Sequence, residues 1–250
     1  MKKILLTLTA IAGLTASGFS QDYKPTAGMS SLEVTFDPSS IFNANNGGPT
    51  FALPSIYNLN QGLKYRNWMS SNVATRGTFL LGFRNISNPI VLVNSAGENV
   101  DANTSYFEWA VQIKPGIERH FAGTDRLSPY MGAELILGYG SNKYTTESLD
   151  ASDAIVESYV KNGTQDFVGN NLPWTYVNGF TAGIGLLAGF DYYVAKDLYL
   201  GLELGYSFAY NKRAAVKTKQ AGADEVETKT GSNVFFQPAA GANLRLGWNF

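Results

Sequence analysis

Between Phe180 and Val194 the even positions read Phe180, Ala182, Ile184, Leu186, Ala188, Phe190, Tyr192 and Val194, while Thr181, Gly183, Gly185, Gly189 and Asp191 take odd ones. A period of two puts one set on each face of a β-strand. After Ala195-Lys196-Asp197 a second run begins. Leu198, Leu200, Leu202, Leu204, Tyr206, Phe208 and Tyr210 share one face; Tyr199, Gly201, Glu203, Gly205, Ser207 and Asn211 share the other. The pattern predicts a hairpin whose strands run to about a dozen residues or more, longer than the ~5–6 usual in soluble sheets.

The same alternation predicts six further strands. Leu32, Val34 and Phe36 alternate with Ser31, Glu33 and Thr35. Tyr57, Leu59, Leu63 and Tyr65 alternate with Gly62, Lys64 and Arg66. Phe79, Leu81 and Phe83 alternate with Arg76, Thr78, Gly82 and Arg84. Phe107, Trp109, Val111 and Ile113 alternate with Glu108, Gln112 and Lys114, and the phase continues through Pro115 to Glu118. Met131, Leu135, Leu137 and Tyr139 alternate with Gly132, Glu134, Gly138 and Gly140. Leu244, Leu246, Trp248 and Phe250 alternate with Asn243, Arg245, Gly247 and Asn249. The joins between the eight alternate long and short: residues 38–54, 69–72, 87–104, 122–127, 142–175, 195–197 and 212–233. Long loops on one rim and short turns on the other are the layout of an antiparallel transmembrane β-barrel.

Energetics separates this from a soluble barrel, which hides apolar residues inside. Here the charged residues share a face with the glycines, and the opposite face is almost wholly apolar and aromatic. Exposed to water, that face would far exceed the few hundred Å² of apolar patch that soluble monomers tolerate. Against lipid it is favourable, and closure satisfies every strand edge in a medium without water. The predicted fold class is therefore all-β: an eight-stranded antiparallel transmembrane barrel, apolar outside, with a polar interior that small Gly and Ala residues help to fit.

The first residues sharpen the location. Lys2 and Lys3, an apolar run from Ile4 to Leu14 and small residues up to Ser20 have the order of a secretory signal. About 11 apolar residues fall short of the ~20 a spanning helix needs. Residues 1–20 are expected to be a signal peptide, with cleavage after Ser20, and residues 21–250 a single barrel domain. Loss of the two lysines takes the formal charge from -1 to -3. No basic field exists for nucleic acid. The absence of cysteine excludes disulfides, a thiolate zinc site, a Cys nucleophile and a lipoprotein anchor. No calcium-loop or phosphate-loop spacing occurs, and no cofactor or metal is expected.

The segments "SPYMGAELILGYG", "GFDYYVAKDLYLGLELGYSF" and "ANLRLGWNF", with the hairpin "GLKYRNWMSSNVATRGTFLLGF", resemble the small outer-membrane barrels of the OmpA-barrel, OmpW and opacity-porin type. The resemblance covers the whole mature chain. It implies a bacterial outer-membrane protein with short periplasmic turns and long extracellular loops. It also implies that Leu246, Trp248 and Phe250 act as the C-terminal assembly signal read by the outer-membrane insertion machinery. The peptidoglycan-binding domain that often follows OmpA-type barrels is not expected before the chain stops at Phe250.

The phases turn Glu33, Glu108, Glu118, Glu134, Asp191 and Glu203 inward, together with Lys64, Arg66, Arg76, Arg84, Lys114 and Arg245. Six acids against six bases favour mutual pairing in a dehydrated interior, whereas a selective pore would show a ring of one sign. The expected role is structural and interactive: a monomer in outer-membrane lipid, its lumen plugged by salt bridges, with surface ligands meeting the long loops. The alternative is a narrow porin-like channel for ions or small solutes. An enzyme is not expected. His120 is the single histidine, lies at the short-turn end, and has no serine close by in sequence.

Aromatic girdles are predicted from Trp68, Phe121, Tyr130, Tyr192, Trp248 and Phe250 at the short-turn end, and from Phe36, Tyr57, Phe107, Tyr139, Tyr176 and Tyr210 at the other. "DASDAIVESYVKN" is read as a short helical turn, and "KRAAVKTKQAGADEVETKTGS" as a hairpin standing above the membrane.

Overall fold

The computed structural model describes residues 23–36, 63–163 and 178–250. The expected signal peptide, Tyr57, Tyr176, the loop at 38–54 and the Phe36 side chain lie outside what is described.

Eleven strands are present among these residues: β1 (Ser30–Phe36), β2 (Leu63–Ser70), β3 (Val73–Val93), β4 (Asn99–His120), β5 (Leu127–Leu149), β6 (Ile155–Lys161), β7 (Gly179–Ala195), β8 (Leu198–Arg213), β9 (Val216–Lys219), β10 (Val226–Thr228) and β11 (Ser232–Asn249). All pairings are antiparallel. Eight strands form a closed ring in the order β1-β2-β3-β4-β5-β7-β8-β11, with β11 returning to β1. The seam places Leu246 opposite Val34 and Trp248 opposite Leu32. It ends in reciprocal 2.8 Å bonds between the Ser30 and Phe250 main chains.

The other three strands continue the sheet beyond the ring. Above Gly140, β5 leaves β7 and pairs with β6, which pairs with β9, which pairs with β10. The expected hairpin over residues 212–232 contains this β9–β10 unit. The expected helical turn over residues 150–162 is instead a tight turn at Asp150–Ala154 followed by β6, because Ile155, Val156, Tyr159 and Val160 are strand formers with a partner in β5. The join expected at 87–104 is also strand. The β3–β4 register runs unbroken from Val73↔Arg119 to Val93↔Asn99, and only residues 94–98 turn. Ser95 at that tip donates its amide to Asp153 Oδ1 at 3.0 Å, clasping the β3–β4 and β5–β6 hairpins.

The alternation sorts as its chemistry requires. Phe83, Leu186 and Leu204 stand more than half exposed on the outer face, while Glu33, Arg66, Glu118, Asp191 and Arg245 are buried within. Along β4, Phe107 to Ile117 give an outward apolar span of eleven residues, which at ~3.4 Å rise and ~45° tilt is about 25 Å of height, the thickness of a lipid-facing band. Among the described residues no helix is long and apolar enough to cross a membrane; the crossing is made by strands.

The turns on the short rim are tight. Lys196 and Asp197 form a two-residue connection in which Asp197 adopts φ 62°, a left-handed conformation that Asp tolerates better than most residues. Across the ring from β1, Arg126 donates to the Tyr23 hydroxyl at 2.7 Å and lies 4.2 Å from its ring centroid. Residues 23–29 thus run across the short-turn mouth before entering β1.

Candidate functional site: the charge-crossed lumen

The inward side chains come from strands that neighbour each other around the ring and from strands that face each other across it. Strands β2 and β7 are four places apart in either direction, as are β3 and β8. Arg66 of β2 reaches Asp191 of β7 at 2.6 Å, and Arg76 of β3 reaches Glu203 of β8 at 2.7 Å. Both contacts therefore cross the full bore.

Around these two bridges, eight of the expected lumen residues form one neutral cluster. Arg66 Nε also lies 2.6 Å from Glu33 and 2.8 Å from Glu118. Arg245 contacts Asp191 at 2.5 Å and Glu33 at 2.9 Å. Arg76 approaches Glu118 at 2.5 Å, and Lys64 approaches Glu203 at 3.1 Å. Each carboxylate serves two or more cations, so no charge stands alone in a region sealed from water. This is the condition under which buried ion pairs are tolerable. Glu203 additionally accepts the Tyr130 hydroxyl at 2.6 Å.

Glycines on the inner face make room for these groups. A Cβ at Gly201 would sit 2.6 Å from the Arg245 guanidinium and 2.8 Å from Asp191. A Cβ at Gly189 would meet the Tyr130 hydroxyl at 2.6 Å, and one at Gly247 would run into the Tyr199 ring. The Gly-rich inner phase is therefore a packing requirement of large charged and aromatic neighbours.

The lumen changes character along its axis. Toward the long-loop side the inward positions become Leu80, Ala110, Ile136, Leu187 and Ala209, all buried. Beyond that layer Arg84 pairs with Glu108 at 2.9 Å, and Glu108 accepts the Tyr106 hydroxyl at 2.6 Å. Glu134 lies between, 3.4 Å from Arg76 and 4.0 Å from Lys114. Lys114 is the most exposed of the twelve, with a quarter of its side chain accessible.

Two residues expected in the lipid-facing girdle belong here instead. Trp68 and Tyr130 are each 1% exposed and point inward. Trp68 stacks on His120 with centroids 4.5 Å apart and donates to Ser31 Oγ at 2.9 Å, and Tyr130 packs 5.0 Å from the same imidazole. The other described girdle aromatics, Phe121, Tyr192, Trp248, Phe250, Phe107, Tyr139 and Tyr210, face outward.

His120, without a serine nearby in sequence, gains one through folding. Ser128 Oγ lies 2.8 Å from Nδ1, and Glu118 lies 3.5 Å from Nε2. The three residue types match a hydrolytic triad, but the arrangement does not. All three groups are buried, the imidazole is enclosed by Trp68 and Tyr130, and Glu118 is already bound by two arginines. A nucleophile needs an open position beside it for the reacting carbonyl, and here Trp68 and Tyr130 pack against the imidazole. The set reads as the lower rung of the lumen network.

With the geometry in place, comparison with known proteins defines the class. A barrel whose charges point to its axis and whose apolar residues face outward has the layout of a transmembrane β-barrel. The profile of the OmpA-OmpF-like porin family matches residues 98–250, and the chain belongs to that family. It is a bacterial outer-membrane β-barrel, with the short turns on the periplasmic side and the β5–β6–β9–β10 sheet outside the cell. Comparison with curated proteins gives no sequence match. Among solved structures, the outer membrane protein OprG from Pseudomonas aeruginosa aligns over 92% of this chain and 99% of its own at 9% identity, with a TM-score of 0.42. AlkL, solved in DMPC bilayers, aligns over 94% and 95% at 14% identity, with a TM-score of 0.30. Ail of Yersinia pestis, solved with the heparin analogue sucrose octasulfate, aligns over 90% and 99% at 14% identity, with a TM-score of 0.28.

Proposed function

We propose that this protein is a non-enzymatic, monomeric outer-membrane barrel whose lumen does not conduct and whose working surface is its extracellular sheet and loops. The observation that carries this reading is the pair of bridges across the bore, Arg66–Asp191 and Arg76–Glu203. Hydrated ions need a continuous polar path, and direct contact between opposite walls interrupts it. The charges around those bridges balance, whereas selective pores carry rings of one sign.

A second reading, a narrow channel, draws on Lys114 and Glu134 below the apolar layer and Arg84 above it, each of which keeps some solvent contact. Planar-bilayer recording separates the two. The closed-lumen reading expects no discrete openings in the native protein. Reproducible single-channel steps whose size changes in Glu203→Gln would overturn it.

The outward Leu246 and Trp248 lie on the strand that closes the ring, and outward Phe250 follows it directly. We assign them to recognition by the insertion machinery. Phe250→Ala should slow assembly in cells while leaving detergent refolding of the purified chain unchanged. Equal slowing of both would assign the residue to folding alone.

A further inference from the structure

Charge is not spread evenly over the extracellular sheet. The tops of the β3–β4 and β5–β6 hairpins, residues 85–106 and 144–160, hold six carboxylates and no lysine or arginine. The whole chain is nearly balanced, with 19 basic and 20 acidic residues. Among the described residues only Glu157 of the six meets a cation, Lys143 at 3.1 Å. The neighbouring β9–β10 hairpin differs, since Lys217 there answers Glu225 at 2.8 Å and Glu227 at 3.6 Å.

The register sets apolar side chains among these acids. Ladder partners share a face, and the outward phase of Phe107 and Lys143 continues upward through both hairpins. It carries Val91 opposite Asp101, Val93 opposite Asn99, Glu147 opposite Glu157 and Leu149 opposite Ile155. Val91, Val93 and Ile155 are 61%, 63% and 49% exposed. Strand propensity does not demand them, because threonine serves an exposed strand position as well. Lipid does not cover them either. Asn99, the partner of Val93, lies eight residues beyond Phe107 on β4. At ~3.4 Å rise and ~45° tilt that is about 19 Å above the last lipid-facing aromatic, whereas the headgroup layer is only ~5–8 Å deep.

The two tips form one body. Ser95 gives Asp153 both its amide, at 3.0 Å, and its hydroxyl, and the Asn103 amide donates to Glu147 at 2.6 Å. Asn94 Oδ1 accepts the Glu98 amide at 2.7 Å, and Asp150 Oδ1 accepts the Ser152 amide at 2.8 Å, so each turn is held by its own side chain. A surface fixed before it binds loses less entropy on binding. Exposed aliphatic groups inside a polar rim have the anatomy of an interface, and the single sign of the rim selects the partner. A second copy of this chain would bring six more carboxylates against the first six and is repelled.

We propose that the clasped hairpin tips are a docking site for a cationic polypeptide segment whose lysine or arginine side chains flank aliphatic ones. Val91, Val93 and Ile155 supply the apolar centre, and Asp101, Glu147 and Glu157 pair with the flanking cations. Glu98, Asp150 and Asp153 on the turns add to the field that draws the segment in. The site rests on the reading of the extracellular sheet as the working surface. Channel openings in planar bilayers would overturn the closed lumen and leave this site standing.

The test uses the refolded full-length protein in phosphocholine nanodiscs, with backbone amide shifts as readout. The probe is a capped heptapeptide of alternating lysine and valine; heptalysine and the same peptide with glutamate in place of lysine are its controls. The expected result is saturable shifts confined to residues 89–101 and 147–157, with weaker binding of heptalysine and none of the glutamate peptide. Affinity should fall about fivefold in Asp101→Asn/Glu147→Gln, which removes two exposed charge pairs, and about tenfold in Val91→Ser/Ile155→Ser, which removes apolar burial. Lys143→Gln releases Glu157 from its internal partner and should bind about twofold tighter, so a gain of affinity separates a lost site from a lost fold. No saturable shift, or native affinity in either loss variant, overturns the site. Shifts spread down the lipid-facing strands show the peptide entering the bilayer and overturn it as well. Heptalysine binding as tightly as the alternating peptide overturns the apolar centre, and binding of the glutamate peptide overturns selection by charge.

Discussion

Arg66 and Asp191 lie 2.6 Å apart inside the barrel, and Lys217 and Glu225 lie 2.8 Å apart on the extracellular sheet. The first pair has no accessible side-chain surface, while about a third of each side chain in the second is accessible. Inside, each charged group has surrendered its hydration, so its only compensation is the opposite charge, and losing one partner strands the others. Outside, water replaces a lost partner at little cost. The difference teaches that contact length says little about what an ion pair holds together; the medium around it decides. Two of the lumen pairs, Arg66–Asp191 and Arg76–Glu203, connect strands distant in sequence and opposite in the ring, so no neighbouring strand can take over their role. The outer pairs are exchangeable, because water can replace either partner.

The largest effect expected from this contrast is at Arg66. Replacing it with Met leaves Glu33, Glu118 and Asp191 short of their shared cation, and breaking a buried network from one side costs about 3–5 kcal/mol. Urea unfolding of the refolded barrel in lipid measures it. A loss below about 1 kcal/mol would erase the distinction between inside and outside pairs.

Next in size is Gly247→Ala. The added Cβ points into the Tyr199 ring, which is fully buried and packs 5.4 Å from the Tyr193 ring. Overpacking of that kind costs about 1–3 kcal/mol. The thermal midpoint of the heat-modifiable band on gels should fall accordingly. Gly77→Ala is the control, since a Cβ there meets nothing within 4 Å.

Smaller again is the exposed pair Lys143–Glu157. A double-mutant cycle to Ala should give a coupling below about 1 kcal/mol, because both side chains are roughly half exposed. A coupling comparable to the Arg66 loss would mean that the extracellular sheet is drier than its exposure indicates.

The inside of this comparison was largely readable from the chain. Strict parity gave the inward phase of Glu33, Lys64, Arg66, Arg76, Arg84, Glu108, Lys114, Glu118, Glu134, Asp191, Glu203 and Arg245, because a period of two survives any twist or tilt. Which of them meet was not readable. Arg66 and Asp191 are 125 positions apart, and only ring closure makes β2 and β7 opposite. Residue type and strand end place Trp68 and Tyr130 in the girdle, whereas phase turns them inward, as the structure does. Trp68 follows Lys64 by four positions, and that spacing already carried the correct answer. Asn85 to Pro89 dilute the apolar alternation just where the sheet leaves the lipid, so the pattern hides the strand extensions although the hydrogen-bond register continues. The contact of Ser128 with His120 is set by the connection over residues 121–126, whose path the alternation does not specify.

The smallest effect belongs to pH and tests the exchangeable side alone. Glu225 titrates below its ordinary 4.5 because Lys217 and then Tyr159 donate hydrogen bonds to its carboxylate. Lys217 titrates above 10.5, chiefly through its hydrogen bond to Glu225, and Tyr159 above 10.0 for the same reason. A lowered carboxylate contributes above its unfolded value and is lost as pH falls through the folded one, whereas a raised amine or phenol contributes below its unfolded value and is lost as pH rises. The Tyr159–Glu225–Lys217 contact should therefore be complete from about pH 4.5 to 10 and open on either side. The barrel beneath, whose charges do not depend on this contact, should stay folded through both transitions. Tyr159 ring shifts that move outside that window while the lumen Tyr130 ring stays still would show the two regions responding separately. Concerted movement of both rings would show one coupled network and remove the contrast between them.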